Sequence, residues 1–289
     1  MSHTHYTTLI SAANLAERVA AAPASVVLFD CRFDLADTGA GEAAYAAGHL
    51  PGAQYLHLDR DLSGRKTGTN GRHPLPSRDA LVATLVNRGL KQGQQVVAYD
   101  AHGGMYAARL WWLLRWLGHD SVAVLDGGLQ AWEAAGQPLA TDVPRVTAGD
   151  FRAQPPLEVT ADAQAVLANL ATHARLVIDA RSPDRYRGEN ETLDRVGGHI
   201  PGARNRFFKD NLTADGRFKT GHELRETFSA LLAGTEPNRV ILQCGSGVTA
   251  CHNALALEIA GLHGAALYPG SWSEWSSDPA RPVATGPTP

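Results

Sequence analysis

The stretch "VILQCGSGVTACHNALALEIAGL", residues 240 to 262, reads as an apolar strand, a glycine-punctuated turn and a helix, with Cys244 where the strand ends. Such a turn points its backbone N–H groups, and the N-terminus of the following helix, at one spot. That arrangement holds anions and favours a thiolate over a thiol. Gly245 and Gly247 permit the dihedrals that wrap a loop around a sulfur atom, and Ser246 and Thr249 add hydroxyl donors. The competing reading is a buried core cysteine, the usual fate of a free thiol. A second stretch, "VVAYDAHGGMYAARLWWLLRWLG" (96 to 118), has the same layout with Asp100 at the matching place. A buried carboxylate there needs the same amides as partners. Both turns are therefore expected to hold an anion, and only the second to hold a nucleophile.

These stretches belong to a repeat that spans the chain. "VVLFDCR" (26 to 32) answers "LVIDARS" (176 to 182), and "AGHLPGA" (47 to 53) answers "GGHIPGA" (197 to 203). "LDGGLQAW" (125 to 132) answers "YPGSWSEW" (268 to 275), in the same order. Each half alternates short apolar runs with helical patterns, the signature of an α/β fold with a parallel sheet covered by helices on both faces. Leu110, Leu113, Leu114 and Leu117 fall at helical spacing, as do Val248, Cys251, Leu255, Ile259 and Leu262. "TDVPRVTAGDFRAQPPLE" (141 to 158), with three prolines and no helical period, reads as a linker. The expected division is a domain over 1–140, the linker 141–158, and a second domain over 159–289.

Composition narrows the function. The chain has 289 residues, 44% apolar and 19% charged, with a net charge of −3. That fits two globular domains, and the absence of a Lys/Arg run argues against nucleic acid as a partner. The start lacks a basic segment followed by an apolar core, and the apolar stretch around "LWWLLRWLG" is short and broken by Arg115. No membrane partner is expected. Three cysteines give no disulfide framework and favour a reducing compartment, so the expected setting is the cytoplasm.

With paired "GHxPGA" segments, "DGGLQAW", "GSWSEW" and a cysteine loop in the second half only, the chain resembles the tandem rhodanese-like sulfurtransferases over nearly its full length. The resemblance implies two duplicated rhodanese-like domains, the first catalytically silent. "CGSGVTA" resembles the loop of the 3-mercaptopyruvate branch. Thiosulfate-using members usually carry basic residues at the loop's second and third positions, where this chain has Gly245 and Ser246. A dianionic donor needs more positive charge than a monocarboxylate thiol. The implied reaction moves sulfur from 3-mercaptopyruvate through a persulfide on Cys244 to cyanide, a small thiol or thioredoxin, releasing pyruvate. No cofactor is implied. Gly245, Gly247, Val248 and Thr249 would form the loop around the donor, and Arg185 in "DARSPDRYRG" would grip its carboxylate. Arg195 in "ETLDRVGGHIPGA" is the candidate for a second carboxylate-binding arginine, at a spacing to "GGH" that departs from the family's. The resemblance also implies a relay of Ser246, His73 in "GRHPLP" and Asp59 in "LHLDRD".

Other residues receive plainer readings. His49, His199, Asp30 and Asp179 recur in both halves and read as structural, the aspartates anchoring Arg32 and Arg181. Cys251 and His252 lack the partners of a metal site. A cysteine phosphatase would need an arginine six residues after the nucleophile, where Ala250 stands. The remaining alternatives are a thiosulfate sulfurtransferase and a persulfide carrier that hands sulfur to a partner without turnover.

Overall fold

The computed structural model describes residues 5–289. Its contacts form two compact units: Met1–Ser63 with Pro76–Leu157 and Ala214–Phe218, and Gly64–Leu75 with Glu158–Thr213 and Lys219–Pro289. Neither is one run of chain. The loop 64–75, which carries His73, is built into the second unit. The stretch expected as a linker is strapped to the first unit by its backbone. Gly149 N–H donates to Val86 O at 2.8 Å, Gln154 N–H to Leu117 O at 2.7 Å, and Leu157 N–H to Arg115 O at 3.0 Å.

The first unit runs β1 (Leu9–Ile10), α1 (Ala12–Ala21), β2 (Val26–Asp30), α2 (Ala40–Ala47), β3 (Gln54–Tyr55), α3 (Arg78–Asn87), β4 (Gln95–Tyr99), α4 (Ala107–Trp116), β5 (Val122–Leu125) and α5 (Gly128–Ala134). Its sheet is wholly parallel, in the order β1-β5-β4-β2-β3. The second unit runs β6 (Val159–Thr160), α6 (Ala163–Thr172), β7 (Leu176–Asp179), α7 (Pro183–Arg187), β8 (Arg204–Asn205), α8 (Gly221–Leu232), β9 (Val240–Gln243), α9 (Thr249–Ile259), β10 (Ala266–Leu267) and α10 (Ser271–Trp275). Its order, β6-β10-β9-β7-β8, is the same order shifted by five strands. The repeat in the sequence is thus a repeat in topology.

β4 and β9 lie inside their sheets and are buried along their whole length, which is why each reads as a mostly apolar run, with one buried glutamine at an end. α4 is buried from Ala107 to Leu114 and α9 from Thr249 to Leu257, so each is enclosed rather than amphipathic. Trp132 in the first unit and Trp272 and Trp275 in the second close one core cluster each. Other helices take their starts from side-chain caps: Ser11 for α1, Asp162 for α6, and a Thr220–Glu223 capping box for α8.

The recurring Asp-x-Arg and Gly-His segments form one buried brace in each unit. Asp30 takes the Arg32 guanidinium on both oxygens, and Arg32 Nη2 reaches on to Gly48 O at 2.7 Å. Asp179 and Arg181 repeat this with Gly198 O at 2.6 Å. His49 Nδ1 bonds Tyr45 O and His199 Nδ1 bonds Tyr186 O, both at 2.8 Å, with each imidazole stacked on its tyrosine. These six residues, an aspartate, an arginine and a histidine in each unit, hold the chain as it leaves the second strand of each sheet.

Asp30→Ala leaves Arg32 buried with only a carbonyl for partner. The stability of the protein should fall by about 3–5 kcal/mol, read as a lower midpoint of urea unfolding. An unchanged midpoint would mean the brace is dispensable.

Candidate active site

Cys244 lies one residue beyond β9 and is 1% exposed. Its sulfur accepts the Gly247 N–H at 3.1 Å. The backbone of Cys244 is fixed from the turn 268–273. Its N–H donates to Ser271 Oγ at 3.1 Å, and its carbonyl accepts from Trp272 N–H at 2.9 Å. Ser273 N–H donates to Gly245 O at 2.9 Å. Ser271 Oγ donates in turn to Tyr268 O at 2.8 Å. Gly247 has φ +77°, and a Cβ there would stand 2.4 Å from Pro269 O, so this amide can face the sulfur only from a glycine.

The matching turn of the first unit shows what such a loop does with a carboxylate. Asp100 is fully buried and accepts four backbone N–H bonds, from His102 and Gly104 on Oδ1 and from Tyr106 and Ala107 on Oδ2, at 2.7–2.9 Å. A ring of inward amides is satisfied there by a fixed anion. In the second unit the same place in the fold holds the Cys244 thiol.

Loop 64–75 brings two side chains to the cysteine turn. His73 Nδ1 and Ser246 Oγ share a hydrogen bond of 2.7 Å, with both residues buried. Gly71 has φ +85°, and Arg72 N–H donates to Ser273 Oγ at 3.0 Å, which fixes the loop's course. The Arg72 guanidinium then lies over Gly245: a Cβ on Gly245 would meet Arg72 Nη2 at 2.8 Å and both terminal nitrogens of Arg185 at 3.6 Å. Arg185 projects from α7 and is gripped by Glu191 at 2.9 Å. Asp194 bridges the pair, bonding Arg72 through Oδ1 and lying 3.4 Å from Arg185 through Oδ2. A nucleophile candidate, an amide donor, a His–Ser pair and two guanidiniums therefore converge on one turn.

The rhodanese-like domain model matches this chain twice, over residues 11–135 and 162–278. The chain is a tandem rhodanese-like sulfurtransferase. It is 48% identical over 280 residues to the probable 3-mercaptopyruvate sulfurtransferase of Pseudomonas aeruginosa, covering 96% of this chain and 98% of that one. It is 34% identical over 278 residues to the thiosulfate sulfurtransferase of Mus musculus, covering 93% and 92%. The crystal structure of a 3-mercaptopyruvate sulfurtransferase from Escherichia coli superposes with a TM-score of 0.78 at 30% identity, over 92% of this chain and 99% of that one.

In this sulfurtransferase, Cys244, Gly245, Ser246, Gly247, Val248 and Thr249 form one turn entering α9, and His73 and Arg185 stand beside it. Asp59 belongs to the first unit, where its N–H donates to His57 Nδ1 at 3.1 Å. Arg195 is exposed, while its neighbour Asp194 turns inward with 6% of its side chain exposed. Cys251 is a core residue of α9 whose thiol donates to Gly247 O at 3.2 Å. Burial, with Asp30 and Asp100 nearby, pushes the Cys31 thiol well up, away from reactivity. Among the described residues no group of three or more His, Cys, Asp or Glu could hold a metal ion, and no helix is long and apolar enough to cross a membrane.

Sequence reading missed Arg72, Ser271, Glu191 and Asp194. A signal existed for Ser271. It falls where the repeat has Gly128, and both take a left-handed backbone, φ +54° and +58°. A serine held in glycine's conformation implies a task for its hydroxyl. Ser271→Ala would keep that conformation and leave the buried Cys244 N–H without an acceptor. The expected cost is about 1–3 kcal/mol in urea unfolding, with a lower kcat. Equal stability and turnover would show that the hydroxyl is not needed.

Proposed function

We propose that this sulfurtransferase takes sulfur from 3-mercaptopyruvate on Cys244 and passes it to a thiophilic acceptor. The Cys244 thiolate attacks the donor's sulfur and an S–S bond forms. The carbon–sulfur bond breaks with its electron pair going to carbon, giving the pyruvate enolate, which takes a proton and leaves as pyruvate. In the second step cyanide, a small thiol or thioredoxin attacks the outer sulfur and Cys244 departs as thiolate. The observation that carries this reading is the Gly247 N–H on Cys244 Sγ beside two guanidiniums over Gly245. An amide aimed at the sulfur stabilises negative charge on the thiolate and on the persulfide alike. Arg185, a planar two-pronged donor, suits the donor's carboxylate. The hydrogen bond between Ser246 and His73 supports a route by which a proton reaches the enolate.

Thiosulfate is the second reading, and Arg72 favours it. The loop is neutral in sequence at its second position, yet a guanidinium occupies the space beside Gly245.

The deciding experiment measures pyruvate release and sulfide formation from 3-mercaptopyruvate with a reducing thiol, beside thiosulfate with cyanide. We expect ping-pong kinetics, a higher kcat/KM for mercaptopyruvate, and a mass gain of one sulfur atom on Cys244 when the acceptor is left out. Cys244→Ser should abolish transfer, and a surviving rate would refute the assignment. A persulfide that forms without steady-state pyruvate release would instead mark a sulfur carrier. Ser246→Ala and His73→Gln should each lower kcat on mercaptopyruvate by about 10²-fold or more with a smaller change on thiosulfate, which yields no enolate. Equal losses on both donors would exclude the proton-handling role.

A further inference from the structure

Arg72 and Arg185 bring two positive charges to the same spot above Gly245, and at short range in a partly dry site such charges repel strongly. Two carboxylates hold them there. Glu191, 5% exposed at its side chain, takes Arg185 through three hydrogen bonds and lies 3.6 Å from Arg181 Nη1. Burial raises its carboxyl, but the hydrogen bonds from Arg185 and from the N–H of Leu193 outweigh this and keep it below the usual carboxylate range. Arg181 is itself committed to Asp179. Asp194 is the carboxylate that touches both guanidiniums of the pair. At 6% exposure its charge is weakly screened. Two guanidiniums are thus matched by two carboxylates, beside a cysteine that is itself negative when reactive.

We propose that Asp194 sets the charge selectivity of the donor site, cancelling enough of the Arg72–Arg185 charge for a monoanionic donor to be preferred over a dianion. This rests on the sulfur-transfer reading above. A single carboxylate can share the outer guanidinium nitrogens with Asp194 in place. A dianion such as thiosulfate brings a second negative charge toward Asp194, Glu191 and Cys244. Arg72 is the counterpart of Asp194. It supplies from loop 64–75 the positive charge that the neutral Gly245 does not, and Asp194 limits how much of it the donor meets. Asparagine at 194 keeps the shape and an acceptor for Arg72 while removing one negative charge.

The test compares kcat/KM for thiosulfate and for 3-mercaptopyruvate in the wild type, Asp194→Asn and Arg72→Gln. The thiosulfate-to-mercaptopyruvate ratio should rise about tenfold or more in Asp194→Asn and fall in Arg72→Gln, with both shifts shrinking at high ionic strength. A merely structural role would lower both donors together and leave the ratio in place. A ratio that stays within about twofold in both variants, or moves the same way in both, would overturn the proposal. Should Asp194→Asn fail to fold, Arg72→Gln and inhibition of the wild type by pyruvate and by sulfate carry the test. Pyruvate is expected to inhibit at lower concentration than sulfate, and the reverse order would overturn the proposal. If the wild type moved sulfur from neither donor, the sulfur-transfer reading would fall and this inference with it. If it moved sulfur and the ratio did not respond, only this inference would fall.

Discussion

The turn after the central strand of each sheet carries backbone amides that face inward, away from water, and those amides need something to accept them. Much of the molecule follows from that need. In the first unit the acceptor is a carboxylate, and four N–H groups close on Asp100 so completely that the site has no capacity left. In the second the acceptor is the sulfur of Cys244, reached by the amide of Gly247. The backbone solution is shared, and the side chain placed in it decides whether the turn closes on a carboxylate or on a thiol.

Duplication lets the two units divide these tasks. Both keep the sheet order and the Asp-x-Arg brace. Both also keep a stacked tyrosine–histidine pair. These are the parts that hold the exits of the inner strands in register. They diverge where chemistry would require it. Gly128 of the first unit becomes Ser271, which accepts a left-handed backbone in order to hold the Cys244 N–H.

Charge at the cysteine turn is arranged in space rather than along the loop. Gly245 contributes no side chain, and the room it leaves lets Arg72 and Arg185 come together. Their mutual repulsion is offset by Glu191 and Asp194, both almost wholly buried. Four charged side chains from two stretches of chain therefore set a potential that no single stretch encodes.

How much of this was legible follows from how far apart in the chain the partners lie. Strand, turn and helix around Cys244 could be read directly, because apolar period and glycine placement act within a few residues. The repeat exposed the fold and marked His49, His199, Asp30 and Asp179 as structural, because a residue kept in both halves serves what both halves share. The stretch 141–158 read as a linker because it lacks a period, but an extended strap lacks one too, and only its hydrogen bonds to the first unit tell the two apart. Arg72 was invisible at the site, since its partner Asp194 lies 122 positions away. Between Asp194 and Arg195 the chain turned the acid inward and left the base in water, a choice of one residue's rotation that no spacing records. The sequence by itself determined the sheet, the duplicated architecture and the cysteine turn, because these rest on local patterning. Only the tertiary structure decided which distant side chains surround that sulfur, because their meeting depends on how packed elements bring separate loops to one point.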